Sequence, residues 1–172
     1  GLQLGHTYNI RVRTLTNYGG SDWAEQTFTT VTPVVHHISN CQQLQDFDSE
    51  PDTRYDTILL DQSFDCAEIE NFVPLGKNEA WDGNDFEGFF DGQGHTISNL
   101  NISSEDYEVG LFASTYRATV QNTTIGSGSI YGEGVIGGFV GDARDTIFTN
   151  LQNKAHIEGT SGEVGGIAGY AE

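Results

Sequence analysis

The sequence predicts an all-β chain whose main body is a right-handed parallel β-solenoid (a β-helix) with coils of 22–28 residues. Three observations carry that expectation. "VGLFAS" starts at Val109, "IGGFVG" at Ile136 and "VGGIAG" at Val164, so a glycine motif returns after 27 and then 28 residues, and a fixed period in that range signals a repeat architecture. Short apolar stretches, "HTISNLNI", "ATVQNTTI" and "DTIFTNLQN", follow turns rich in Gly, Asn and Asp. The 22 glycines among 172 residues are nearly twice the usual share of about 7% and accompany many Thr, Val, Ile and Phe.

The elements follow in chain order. "YNIRVRTLT" alternates Tyr8, Ile10 and Val12 with polar neighbours and adds Leu15; "NYGGSDW" supplies a turn and "AEQTFTT" a second strand, which together read as a hairpin. A lone hairpin is marginal in water and needs further strands. Residues 1–32 therefore form one segment. "VTPVVHHISN" reads as an extended linker over 33–40, because Pro33 fixes its own φ and biases Thr32 away from helix. Residues 41–80 read as the cap of a solenoid, with a brief helical turn around Leu44, an acidic Pro-containing loop and a strand over Thr57–Leu60. Residues 81–172 hold the repeats, expected to continue past residue 172.

Within the repeats, Gly88, Phe89 and Phe90 are aligned on Gly110, Leu111 and Phe112, at an offset of 22; Gly137, Gly138, Gly165 and Gly166 complete the motif glycines. Ile97, Val120 and Ile147 are expected at matching places, and Ile130 and Ile157 one strand later. A glycine in a strand has no side chain to pack, so it marks a corner with positive φ or a close approach of two backbones. A β-propeller is the competing architecture, but its blades need about 40 residues and four strands.

Charge narrows the function. With 25 acidic and 7 basic residues the net charge is −18, which repels nucleic-acid backbones and anionic membrane surfaces. The acidic residues are spread along the chain, giving a solvated surface, with calcium binding or high-salt adaptation as the other readings. No stretch reaches the ~20 apolar residues of a membrane span. The two cysteines, Cys41 and Cys66, lack zinc spacing. A disulfide in an oxidising compartment is the first reading and two buried thiols the second.

Candidate chemistry concentrates in "WDGNDFEGFFDGQGH". Asp82, Asp85 and Asp91 lie near His95 there. Asp-Gly is a turn dipeptide, and the turn reading comes first. Calcium held by these carboxylates and Asn84 comes next, although the spacing is neither an EF-hand loop nor a nonapeptide repeat. Acid–base work on a glycan comes last. No HExxH, GxSxG or Walker loop occurs. Neither catalytic residues nor a cofactor are expected. His36 and His37 read as a solvated pair, Trp23 and Trp81 as core or cap residues. Asn101 and Asn122 begin Asn-X-Ser/Thr triplets.

Two resemblances add to this. "GLQLGHTYNIRVRTLTNYGGSDWAEQTFTT" resembles the end of a fibronectin type III domain: Leu2, Leu4 and Tyr8 sit as in its tyrosine-corner pattern, followed by Val12, Ser21 and Trp23. It implies the last two strands of such a sandwich, preceded by the rest in the same chain or completed by another copy. "FDGQGHTISNL", "VGLF", "IGGFVG" and "VGGIAG" resemble the GLUG repeats of bacterial surface proteins, over 41–172. That resemblance implies an extracellular, structural or adhesive segment of a large surface protein or filament, partnered by itself or by a host or cell-surface protein or glycan. The alternative it implies is an accessory domain of a secreted hydrolase, either an IgA-specific metallopeptidase or a polysaccharide-active β-helix enzyme.

Overall fold

The computed structural model describes residues 2–3, 5–49, 53–77 and 85–172, without the side chains of residues 48 and 49. The chain divides into two compact units, Gly1–Pro33 and Val34–Glu172. In the first, alternation makes strand β1 (Thr7–Val12); after the short rungs β2 (Leu15–Thr16) and β3 (Gly19–Gly20), β4 (Ala24–Thr29) returns antiparallel to β1 from Thr7–Thr29 to Val12–Ala24. The Tyr8 and Phe28 rings stack at 5.6 Å. The opposing sheet of a sandwich is not present among the described residues. Trp23, expected in a core, is instead half exposed with the Arg13 guanidinium 4.5 Å from its ring centre, because a two-stranded ribbon has no facing layer to cover it.

The second unit is a parallel β-solenoid. Its strands are β5 (Val35–Ile38); β6 (Thr57–Leu60) and β7 (Phe64–Asp65); β8 (Phe89–Asp91), β9 (Thr96–Ser98), β10 (Leu100–Ser103), β11 (Glu108–Val109) and β12 (Phe112–Tyr116). Then come β13 (Thr119–Ile125), β14 (Gly128–Gly132), β15 (Val135–Gly137) and β16 (Val140–Arg144), followed by β17 (Ile147–Asn153), β18 (His156–Gly159), β19 (Val164–Gly165) and β20 (Ala168–Ala171). Strands β5, β6, β8, β13 and β17 stack in parallel and mark about four turns. Beside them stack β7, β9 and the second half of β13, while β10–β14–β18, β11–β15–β19 and β12–β16–β20 form three further parallel walls.

Stacking is fixed by inward apolar rows. Ile58, Phe90, Val120 and Phe148 form one, Ile102, Ile130 and Ile157 another. The aromatic centre joins them: Phe86 stacks on Phe112 at 4.8 Å, and Phe90 meets Phe112 edge-on at 5.6 Å. Each of these three rings is at most 1% exposed, so each contributes about 2–3 kcal/mol relative to an exposed ring.

The cap is helix α1 (Cys41–Gln45), started by Asn40, whose side chain accepts from Gln43 N–H at 2.9 Å. Leu44 and Phe47 point into the same core. A disulfide joins Cys41 to Cys66. Gln45 exchanges two hydrogen bonds with the Val73 backbone, at 2.7 and 3.2 Å, tying the helix to chain 28 residues further on.

Three expectations need correction. Val35–Ile38, read as linker, is the first stacked strand, so stacking begins well before residue 81. Gly88, Phe89 and Phe90 do not align with Gly110, Leu111 and Phe112: Phe89 pairs with Thr119 and Phe90 with Val120, while Leu75 bridges to Phe112. The inward ring of Phe90 continues the Val120 row, and that packing outweighs the Gly-Phe likeness. Ile147 pairs with Thr119 and is 60% exposed, whereas Ile97 pairs with Ile125 in the core.

The later glycines have their reason in close approach. Gly137 pairs with Gly165, and a Cβ on Gly137 would stand 2.7 Å from Gly169 N and 2.8 Å from Ala168 Cα of the next coil. Neither Gly110, Gly137, Gly138, Gly165 nor Gly166 has positive φ. Positive φ falls on other residues, among them Gln93 and Gly94, and Arg117 with Asp145 and Asn122 with Asn150, the last two pairs each 28 residues apart.

Candidate functional site

The most developed polar site lies at one such corner. Strand β8 ends at Asp91, and "GQGH" turns the chain into β9, with Gln93 and Gly94 at φ 50° and 82°. Asp91 Oδ1 accepts from Gln93 N–H at 2.8 Å and Gly92 O accepts from His95 N–H at 2.7 Å, a turn closed by its own aspartate. One coil on, a single residue makes the corner. Asn122 sits in the middle of β13 at φ 55°, and Asn150 in the middle of β17 at φ 51°. Asparagine tolerates this left-handed region better than most residues.

The corner residues form a ladder. Asn150 Nδ2 donates to Asn122 Oδ1 at 3.0 Å, and Asn122 Nδ2 donates to Asp91 Oδ1 at 3.1 Å. Gln121 Nε2 donates to Asp91 Oδ2 at 2.9 Å. Burial works to raise the Asp91 pKa, but the Gln93 N–H and the Gln121 and Asn122 amides outweigh it and hold the carboxyl below its ordinary range. Asp91 is thus a hydrogen-bonded carboxylate that orders the turn. Beside the ladder opens a groove of about 580 Å³, lined by Asp91, Gln93, Gly94, Asn122, Thr123, Thr124 and Asn150. Amides, hydroxyls and one carboxylate suit a hydroxyl-rich ligand.

The remaining candidates are dispersed. Asp82, Trp81 and Asn84 lie outside the described residues. Asp85 is buried, and among the described residues neither its Oδ1 nor the Oδ1 of the partly buried Asp142 has a hydrogen-bond partner. Arg144 is the cation among them, with Nη2 2.8 Å from Asp142 Oδ2 and 4.0 Å from Glu108 Oε1. Burial raises the Glu108 pKa, the Asp142 and Asp85 charges add to that, and Arg144 opposes them. Asp85 and Asp91 therefore have different surroundings. Among the described residues, no group of three or more His, Cys, Asp or Glu side chains is arranged to hold a metal ion.

His37 is exposed, as expected of a solvated side chain, whereas His36 is only partly so, and each has a carboxylate partner. His36 Nε2 lies 2.7 Å from Asp56 Oδ2, and Asp56 Oδ1 also accepts from Val34 N–H at 2.8 Å. His37 Nδ1 lies 2.7 Å from Asp61 Oδ1. Both pairs join β5 to residues flanking β6, so they act within the first turn. The ladder itself was missed from sequence. Its signal was available in "QNTT" and "TNLQ", which place Asn122 and Asn150 one period apart.

The fold and this corner define a β-solenoid repeat protein with a polar groove on one side, an arrangement that fits a structural, non-catalytic role. No helix among the described residues is long and apolar enough to cross a membrane. The chain is similar to Halomucin of Haloquadratum walsbyi, 31% identical over a match 147 residues long, with coverage of 80% of this chain and 2% of the relative. No family model matches the chain, and no solved structure matches it.

Proposed function

We propose that this chain is a structural or adhesive segment of a large, secreted, multidomain surface protein or extracellular filament. The observation that carries the reading is the ladder of Asp91, Asn122 and Asn150. It places one polar group per coil along the side of an apolar, stacked body. A right-handed GLUG-type solenoid then acts as a stiff rod whose lateral groove meets a glycan or a cell-surface protein. The Cys41–Cys66 disulfide supports an extracellular location, as does the similarity to Halomucin. Only 2% of that relative is matched, which favours a small part of a very long polypeptide.

The first unit serves in this reading as the end of a fibronectin type III-like spacer. Support comes from Tyr8. Its hydroxyl accepts from Gln3 N–H at 2.6 Å and lies 3.4 Å from Gln3 O, the bond to upstream backbone that a tyrosine corner makes.

Electron microscopy of the native protein at the cell surface and in the medium tests the proposal. Rods or filaments with a regular axial repeat are the expected result. Discrete particles that copurify with a hydrolase activity on the same polypeptide would overturn it in favour of an accessory domain. Glycan-array binding that falls at least tenfold in a Thr124→Ala variant is the expected companion result for the groove.

A further inference from the structure

Two Asn-X-Ser/Thr triplets lie in the solenoid, and the fold treats them oppositely. In Asn101-Ile102-Ser103, alternation along β10 buries Ile102 to 2% exposure, leaving Asn101 partly exposed and Ser103 exposed on the outer face. The backbone there is firmly held. Asn71 accepts from Ser103 N–H at 2.7 Å and donates to Ser103 O at 3.0 Å, and Phe72 N–H donates to Asn101 O at 2.8 Å. The Asn101 side-chain amide makes no hydrogen bond among the described residues. Across the register, β14 sets Ser129 beside Asn101 and Tyr131 beside Ser103, both exposed. A small residue thus leaves space next to the amide, and an aromatic ring offers an apolar face to a sugar.

In Asn122-Thr123-Thr124 the amide is already engaged. Asn122 Nδ2 donates to Asp91, its Oδ1 accepts from Asn150, and Thr123 Oγ1 donates to His95 O at 2.9 Å from a buried position. A sugar on Nδ2 would sit inside the ladder and displace the neighbouring coil's side chain. The two triplets of the same pattern therefore have different accessibility.

We propose that Asn101 is a site of N-linked glycosylation and that Asn122 is not. The donor is a lipid-linked oligosaccharide. A bond forms between Asn101 Nδ2 and the anomeric carbon, the bond from that carbon to the lipid phosphate oxygen breaks, the phosphate leaves with the electron pair, and the amide loses one proton. The proposal rests on the extracellular reading above, since the chain must meet a transferase on its way out of the cell.

Trypsin separates the triplets, because Lys77, Arg117 and Arg144 delimit peptides 78–117 and 118–144. Mass spectrometry of the protein from its native source is expected to find a glycan mass on 78–117, absent in an Asn101→Gln variant, and an unmodified 118–144. Unmodified 78–117 in protein with an intact Cys41–Cys66 bond would overturn the site and leave the extracellular reading standing. Unmodified 78–117 with both thiols free would overturn the two together. A glycan on 118–144 would overturn the distinction between the triplets.

Discussion

Reducing the Cys41–Cys66 bridge tests how the cap is held. The bond closes a loop with a sequence separation of 25. Loop-closure entropy for about 25 residues is about 12 cal/mol/K, so removing the cross-link stabilises the unfolded chain by about 3.5 kcal/mol at 25 °C. That is a large part of the ~5–15 kcal/mol typical of a folded domain. Cys41 is 4% and Cys66 0% exposed, and reduction leaves both sulfurs in the core with no new cavity, so the change reports mainly on the unfolded state. Urea unfolding followed by circular dichroism, with and without a phosphine reductant, is the assay. A lower midpoint is expected, with a steeper slope because the freed unfolded chain exposes more surface. A loss under about 1 kcal/mol would refute the reasoning, since the cap would then separate from the coils without the whole unit unfolding.

Three further outcomes follow from the coils. Gly138→Ala should cost about 1–3 kcal/mol by overpacking, because its Cβ would meet Gly166 O and stand 2.8 Å from Asn153 Cγ; Gly166→Ala, with nothing within 4 Å, should be near neutral in the same melt. Asn122→Ala removes two ladder bonds and puts alanine at φ 55°, for about 2 kcal/mol in all. Asn122→Gly keeps the backbone and loses only the bonds, so about half that loss is expected by denaturant titration. Glu108 has a raised pKa, so its contribution to stability is full below the unfolded value near 4.5 and is lost as pH rises through the folded one. A Glu108→Gln variant should therefore gain on wild type near pH 8 and match it near pH 4 in paired thermal melts. Asp65 and Asp106 have lowered values and act with the opposite sign: their stabilisation is present above the unfolded carboxylate value and is lost as pH falls through the folded one.

The later coils were legible because their inward residues and glycines recur together: Ile130 with Ile157, Gly137 with Gly165. The earlier coils were not. Gly88-Phe89-Phe90 shares letters with the glycine motif, yet its strand stacks where Phe90 can continue the Val120 row. His36 and His37 obscured the alternation of β5, and it is the parallel pairing with β6, His36 opposite Ile58 and His37 opposite Leu59, that shows the strand. The disulfide followed from two cysteines without metal spacing. The cluster of Asp85, Glu108, Asp142 and Arg144 could not be read in advance, because its members are scattered in sequence and come together only through stacking.

The distances along the chain between stacked strands carry one more consequence. Val35 to Thr57 is 22 residues, Thr57 to Phe89 is 32, Phe89 to Thr119 is 30 and Thr119 to Ile147 is 28, yet all five positions lie in one register. The register is therefore kept across spacings that differ by up to ten residues, two of them longer than the 22–28 expected. Such a body separates two kinds of heritable change. Substitutions on the inward rows alter how strongly the turns adhere, whereas insertions between strands alter what the protein presents to its surroundings. A lineage can then diversify its outer surface rapidly while the axial architecture stays the same.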